Sequence, residues 1–252
     1  MLLIQVIHER IKNIPVLHIV KEKYCDNKLK TVVFYHGFQS QKELYLHYGY
    51  LLAEKGFRVI LPDAHLHGER KEGASEEEQA MFFWDTVENN IEELEIIVDD
   101  LVAKSLASKE AIGVGGVSMG AITSLGILAK YNWVKAAVSL MGSAYYGHFA
   151  RGLVEQALEM GLEFPFDVNS RIASLNPYDL SEQIEKIGNR PLFLWHGKKD
   201  NVVPFAYSEK LYQVLTENKM ANDVEFIIDE RAKHKVSIEG IEACVSFFDR
   251  YM

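Results

Sequence analysis

Ser118 lies in the run "IGVGGVSMGAITSLG", two residues after Gly116 and two before Gly120. A serine hydroxyl is a weak nucleophile near neutral pH and needs a neighbouring base that a third group orients. The surroundings of Ser118 suit that chemistry. The residues before it read as a buried strand and those after it as a helix, so the serine falls on the turn between them. A tight turn lifts a side chain clear of a sheet, and the helix beyond offers free backbone N–H groups and a positive dipole end. Strand and helix backbones approach closely there, which favours glycine two positions to either side. The bland alternative is a small turn residue.

Nine histidines are available as the base. His8 and His18 fall in amino-terminal strands, and His47 and His148 fall on expected surface helices or an insertion. His234 differs, because "DERAKHKVS" joins the last expected strand to the last helix and can carry an imidazole over the sheet end that bears Ser118. Asp200, in "LFLWHGKKDNVVP", follows a buried strand and is the expected orienting acid. Its bland reading is a turn or helix-cap residue. Asp179 and Asp229 are weaker candidates. The chain order Ser118, Asp200, His234 is the one this strand–turn–helix arrangement requires. A tetrahedral intermediate also needs N–H donors aimed at its oxyanion. The Met119 amide, directly after the serine, is one expected donor, and the Phe38 amide in "FYHGFQS" is the other. His36 reads as a structural hydrogen-bonding residue.

These positions have to be carried by a scaffold, and the hydrophobic periodicity outlines one. Strands are expected over 2–9 and 14–20 and in "TVVFYHGF", "FRVILPD", "IGVGGV", "VKAAVSLMG", "PLFLWHG" and "VEFIID". Helices are expected over 41–55 (apolar at Leu44, Tyr48, Leu51 and Leu52), over 81–107 (Ile91, Leu94, Ile97, Val98 and Leu101), after Ser118, and over 205–218. A last helix over 237–251 turns Ile238, Ile241, Val245 and Phe248 to one side. Residues 64–80, with "GERKEGASEEEQ", read as a solvated loop and helix start. Strands alternating with helices define an α/β class with a mostly parallel sheet covered on both faces. The interval 143–190 has helical patches and no strand, and a loop of that length would be unusual, so a small helical cap insertion is expected within a single domain over 1–252.

Composition narrows the partners. The 27 basic and 36 acidic side chains give a net charge of −9, which disfavours nucleic acid and anionic membrane surfaces. Cys25 and Cys244 lie in a polar loop and a helix and suggest neither a disulfide framework nor a thiolate metal site. The start "MLLIQVIHER" reads as a strand rather than a secretion signal, and no apolar run approaches the roughly 18 residues that cross a bilayer, so a cytoplasmic protein is expected. "GVGGVS" lacks the acidic residue that a dinucleotide loop requires downstream.

The set "HGF", "PDAHLHGER", "GVSMG", "HGKKDNVVP" and "KHKV" resembles the α/β-hydrolase fold serine esterases. It is most similar to small bacterial esterases related to dienelactone hydrolase and to prolyl-oligopeptidase catalytic domains, from about Leu17 to the carboxyl terminus. The resemblance implies nucleophile Ser118, acid Asp200, base His234, oxyanion donors Phe38 and Met119, and no cofactor. Relatives commonly read D-x-x-G-H-G where this chain has "DAHLHGER". A β-propeller segment is absent from the 252 residues, which weakens a peptidase reading. Serine at the elbow, where dienelactone hydrolases generally carry cysteine and dehalogenases aspartate, argues against those substrates.

Two other classes compete. His65 and His67 form an H-x-H that could ligate zinc, although no Asp–His pair follows to complete the set. A non-catalytic binding protein has no need of the full set of site residues. The expectation is therefore a serine-dependent carboxylic ester hydrolase acting on a small-molecule ester, with thioesterase, acyltransferase or small peptidase as chemical variants. Its activity should fall on the acid side as the base is protonated. Tyr145, Tyr146, Phe149, Phe164 and Phe166 either line an apolar pocket at the elbow or form the core of the insertion. Nothing in the pattern sets an oligomeric state.

Overall fold

A computed structural model describes residues 3–252. Among these described residues eight strands form one sheet: β1 (Ile4–Ile11), β2 (Ile14–Lys21), β3 (Thr31–Tyr35), β4 (Arg58–Pro62), β5 (Ile112–Val117), β6 (Ala136–Leu140), β7 (Leu192–Gly197) and β8 (Val224–Asp229). The expectation of a strand over 2–9 thus includes one residue, Leu2, outside the described range. The spatial order is β1-β2-β4-β3-β5-β6-β7-β8. β1 and β2 form an antiparallel hairpin whose inner strand pairs antiparallel with β4, and all later neighbours are parallel. Every residue of β3 to β7 is buried, as parallel strands covered on both faces require.

Helices cover the two faces in separate groups. On one side lie α1 (Leu46–Glu54) and α8 (Ile238–Tyr251), packing Tyr48, Leu52, Val245, Phe247 and Phe248 against the sheet. On the other lie α3 (Phe83–Ala103), α4 (Met119–Lys130) and α7 (Ala206–Glu217). Ile91, Leu94, Ile97, Val98 and Leu101 are all buried, so the predicted apolar stripe of α3 is its core face.

Several local expectations are revised. Residues 42–45 form a 3₁₀ turn before α1, which leaves Leu44 63% exposed. Ile238, the first residue of α8, is 71% exposed, and Cys244 and Phe247 join the buried face instead. The long helix expected over 81–107 is α3, which starts only after Phe82 and ends at Ala103, and a separate short helix, α2 (Glu76–Met81), precedes it. The acidic run is the first turn of α2, where the Ser75 hydroxyl accepts from the Glu78 N–H. Three glutamates there sit favourably at the helix's positive end. Between β6 and β7 lie α5 (Tyr146–Glu159), α6 (Val168–Ala173) and three short 3₁₀ turns. Among the described residues no helix is long and apolar enough to cross a membrane.

Strands β3 to β8 run in one direction, so the loops after β3, β5, β7 and β8 gather at the carboxyl edge of the sheet. Beneath the β3 loop lies a fully buried ion pair. Lys42 Nζ stands 2.6 Å from Asp63 Oδ2, both side chains wholly inaccessible, and 2.7 Å from Glu69 Oε1. Burial opposes the ammonium, yet hydrogen bonds to Asp63, Glu69 and Glu43 keep its pKa above the ordinary lysine range. Asp63 also accepts the Lys42 and Glu69 amides, joining the β3 and β4 loops. Lys42→Met would strand the Asp63 charge. It should lower unfolding free energy by about 3–5 kcal/mol, the cost of breaking a buried pair, read by urea titration. A loss under about 1 kcal/mol would show that Asp63 does not depend on this partner.

Candidate active site

Ser118 sits between β5 and α4 with φ 55° and ψ −115°, a conformation that L-residues rarely adopt. The surrounding backbone holds it there. A methyl group on Gly120 would stand 2.2 Å from the Tyr35 carbonyl oxygen, and one on Gly116 would stand 2.4 Å from the Gly120 carbonyl. Larger residues at either position would push α4 off the sheet. The Ser118 N–H donates to Leu140 O at 2.9 Å, tying the turn to β6.

The predicted partners converge on the serine. His234 Nε2 is 2.8 Å from Ser118 Oγ, and His234 Nδ1 is 2.7 Å from Asp200 Oδ2. An ionised carboxylate accepts only, so Nδ1 carries the hydrogen and Nε2 is free to accept from the hydroxyl. The Asp200 side chain is fully buried and that of His234 is one-fifth exposed. Burial works against the Asp200 charge. Hydrogen bonds from His196, His234 and the Val202 amide outweigh it and hold the carboxyl well below the usual range. The Asp200 and His234 loops are stitched together by Lys198 N–H to Asp229 O at 2.8 Å and Lys199 N–H to Ala232 O at 3.0 Å. Gly197 permits this crossing, since a methyl there would meet the Lys233 and Ala232 carbonyl oxygens at 2.5 and 2.6 Å.

The two candidate donors are open. Among the described residues neither the Met119 nor the Phe38 amide has a protein acceptor. Met119 is the first residue of α4, where helical N–H groups have no internal partner. In the loop before Phe38, the Gly37 N–H donates to Tyr45 Oη at 3.0 Å. The His36 ring donates through Nδ1 to Gly37 O at 2.7 Å and accepts the Ala64 N–H at Nε2 at 3.0 Å. Its nitrogens are thus spent on the loops, as a structural residue's would be.

The weaker acids lie elsewhere. Asp179 accepts the Gly147 and Ser181 amides beside α5, and Asp229 accepts the Arg231 and Ala232 amides that shape the His234 loop. His67 donates from Nδ1 to the His65 carbonyl, and Arg70 forms a two-pronged bond to Glu93 at 2.8 Å. Neither His65 nor His67 belongs to a group of three metal-competent side chains among the described residues. The one such group, His8, Glu43 and Glu69, has both carboxylates paired with Lys42.

A cavity of about 520 Å³ opens at Ser118. Its walls include Phe38, Trp84, Phe149, Leu153, Phe164 and Phe166. Three of the five insertion aromatics therefore face it. Tyr146 instead is buried with its hydroxyl on Ile122 O, and Tyr145 stacks on Tyr207. Sequence reasoning missed the opposite wall, where α2 contributes Glu76, Glu77, Ala80 and Met81. The pattern Ser75-x-x-Glu78 was the available signal, because serine followed three residues later by glutamate opens helices.

Fold and site together define a serine hydrolase of the α/β-hydrolase fold. The chain belongs to the prolyl oligopeptidase family, whose model matches residues 44–252. It is 41% identical to "Putative esterase YitV" of Bacillus subtilis, over 99% of this chain and 100% of that one. It is 32% identical to "Esterase YjfP" of Escherichia coli, with the same coverage. Among solved structures, TT1662 of Thermus thermophilus superposes with a TM-score of 0.73 at 20% identity, covering 99% of this chain and 98% of that one, a likeness of fold.

Burial of His36 makes the fold sensitive to acid. Burial is the main cause that lowers its pKa to about 4. The unfolded ring, with a pKa near 6.5, binds its proton first, so the stability of the neutral buried form is present above about pH 6.5 and is lost as pH falls toward 4. Unfolding free energy should drop by about 1.4 kcal/mol per pH unit across that window from this group alone. Urea titrations of His36→Gln should give a shallower slope between pH 6.5 and 4.5. Parallel slopes would assign the acid sensitivity to other groups.

Proposed function

We propose that the protein hydrolyses a carboxylic ester through an acyl-enzyme on Ser118. In this reading Ser118 Oγ attacks the ester carbonyl as its proton passes to His234 Nε2, and the C–O bond to Oγ forms. Asp200 holds the imidazole tautomer and stabilises the imidazolium. The Met119 and Phe38 amides receive the oxyanion, and its collapse expels the alcohol, which takes the proton from His234. Water, deprotonated by His234, then attacks the acyl-enzyme and releases the acid, returning the proton to Ser118. The observation that carries this is the continuous Ser118–His234–Asp200 chain, at 2.8 and 2.7 Å, beside two unused amides. No step in it calls for a metal or cofactor.

The cavity suggests what is bound. Its walls are largely apolar, which suits a hydrophobic limb of the ester. Its charged lining is Glu76, Glu77, Asp85, Glu163 and Arg171, and Arg171 is already paired with Asp85 at 3.2 Å and Glu88 at 2.6 Å. A neutral ester therefore suits the site better than an anionic one. Thioesters and activated amides share the chemistry and differ in leaving group. The free thiols Cys25 and Cys244 accord with a cytoplasmic setting.

The test compares wild type and Ser118→Ala on p-nitrophenyl acetate, butyrate and hexanoate and on an anionic p-nitrophenyl hemisuccinate, with and without EDTA. Ser118→Ala and His234→Ala should each lower kcat by about 10⁴-fold or more, as loss of the nucleophile or base does in triad enzymes, with EDTA inert. Butyrate should exceed acetate, and the hemisuccinate should trail butyrate by about tenfold in kcat/KM. Activity that survives in Ser118→Ala but yields to EDTA would overturn the serine reading.

A further inference from the structure

His196 is the penultimate residue of β7 and is fully buried, and no step of the proposed chemistry uses it. Its Nε2 lies 2.9 Å from the Val203 carbonyl oxygen and 3.3 Å from Asp200 Oδ2, and its Nδ1 lies 2.7 Å from Ser208 Oγ. Two acceptors face Nε2, so that nitrogen must bear the hydrogen. With the hydrogen on Nε2, Nδ1 can accept the Ser208 hydroxyl, so this bond from α7 is compatible with the tautomer that the two acceptors select. Val202 and Val203 donate their amides to Asp200 Oδ1 at 2.8 and 3.0 Å. Oδ2 is left to the two imidazoles. Among the described residues, His196 and His234 are the titratable side chains that contact Asp200.

We propose that His196 is a positioning residue for the triad acid, its single N–H clamping the Val203 carbonyl while offering Asp200 Oδ2 a second partial positive charge opposite His234. This rests on the triad proposed above. The clamp acts at both ends of the 200–203 turn, so the carboxylate can neither rotate nor withdraw when His234 becomes charged. It also spreads the charge on Oδ2 over two N–H groups. Removing it would concentrate that charge on His234, stabilise the imidazolium, and move the acid limb of the rate profile to higher pH.

The experiment compares His196→Leu, His196→Gln and Ser208→Ala with wild type on p-nitrophenyl butyrate from pH 5 to 8.5. Circular dichroism and urea titration check the fold, and Ser118→Ala serves as the control. In His196→Leu, kcat should fall about tenfold to a hundredfold, the scale of one hydrogen bond to a charged group, with KM within about twofold. Its acid limb should move upward in pH. Glutamine can present an N–H near the Nε2 position and should restore much of kcat. Ser208→Ala should show a smaller loss in the same direction. The downfield proton resonance of His234 Nδ1–H should shift in each folded variant, a readout independent of turnover. Wild-type kcat, acid limb and resonance in a folded His196→Leu would overturn the proposal. So would equal losses in Leu and Gln with an unmoved acid limb, which would mark packing alone. Full activity in Ser118→Ala would instead overturn the triad, an outcome distinct from either.

Discussion

Where α4 leaves the sheet, its backbone comes nearer to β3 and β5 than any side chain allows. The 2.2 Å that would separate a Gly120 methyl from the Tyr35 carbonyl, and the 2.4 Å at Gly116, measure that approach. It forces Ser118 to a positive φ and aims its hydroxyl out of the sheet, with the unpaired amides of the first helical turn beside it. A conformation of this kind costs about 1–3 kcal/mol and persists only where its surroundings over-determine it. Here they do so through the hydrogen bond from Ser118 N–H to β6 and through an α4 with eleven buried residues.

The remaining site groups sit on loops, yet the loops are tied to buried polar anchors. Lys42 and Asp63 lock the loops after β3 and β4 together from below, and His36 bonds across both. The Asp200 and His234 loops are joined instead by backbone bonds from the Lys198 and Lys199 amides, at a close approach that Gly197 allows. The buried anchors Lys42, Asp63 and His36 each have their partners, which matters because a half-satisfied polar group in the interior costs more than an apolar one. Loops provide the reach between strand ends, and the buried polar bonds provide the precision that flexible connections lack.

Much of this was legible in the residues. Nearly continuous apolar runs mark β3 to β7, and the five apolar positions of α3 are all core. Ser118, Asp200 and His234 were readable because each stands at a strand end in an order that one architecture demands. The parts that escaped have physical reasons. The break at Phe82 has neither glycine nor proline to announce it, and Leu44 is exposed because a 3₁₀ turn rotates it off the α-helical face. Ile238 fits the period of α8 but occupies its first turn, beyond the edge of the sheet's cover. The sequence assigns His196 no role, since a buried histidine acquires meaning only from what its two nitrogens touch. The cavity is long-range by nature. Its walls meet across some seventy residues of chain, and no local pattern reports that.

Those walls have a consequence for how such a protein changes over time. Apart from Phe38, Ile122, Val202 and Val203 close to Ser118, they come from α2 and the start of α3 on one side and from the β6–β7 insertion on the other, and neither of these two segments adds a strand to the sheet. Arg171 bridges the two sides through Asp85 and Glu88. Substitutions, insertions or deletions in either wall can reshape what the cavity admits while leaving the strained turn and its hydrogen-bonded partners untouched. If the proposed chemistry holds, most of what sets selectivity lies in stretches of the chain apart from those that set reactivity, and a lineage can explore new substrates without first losing its chemistry.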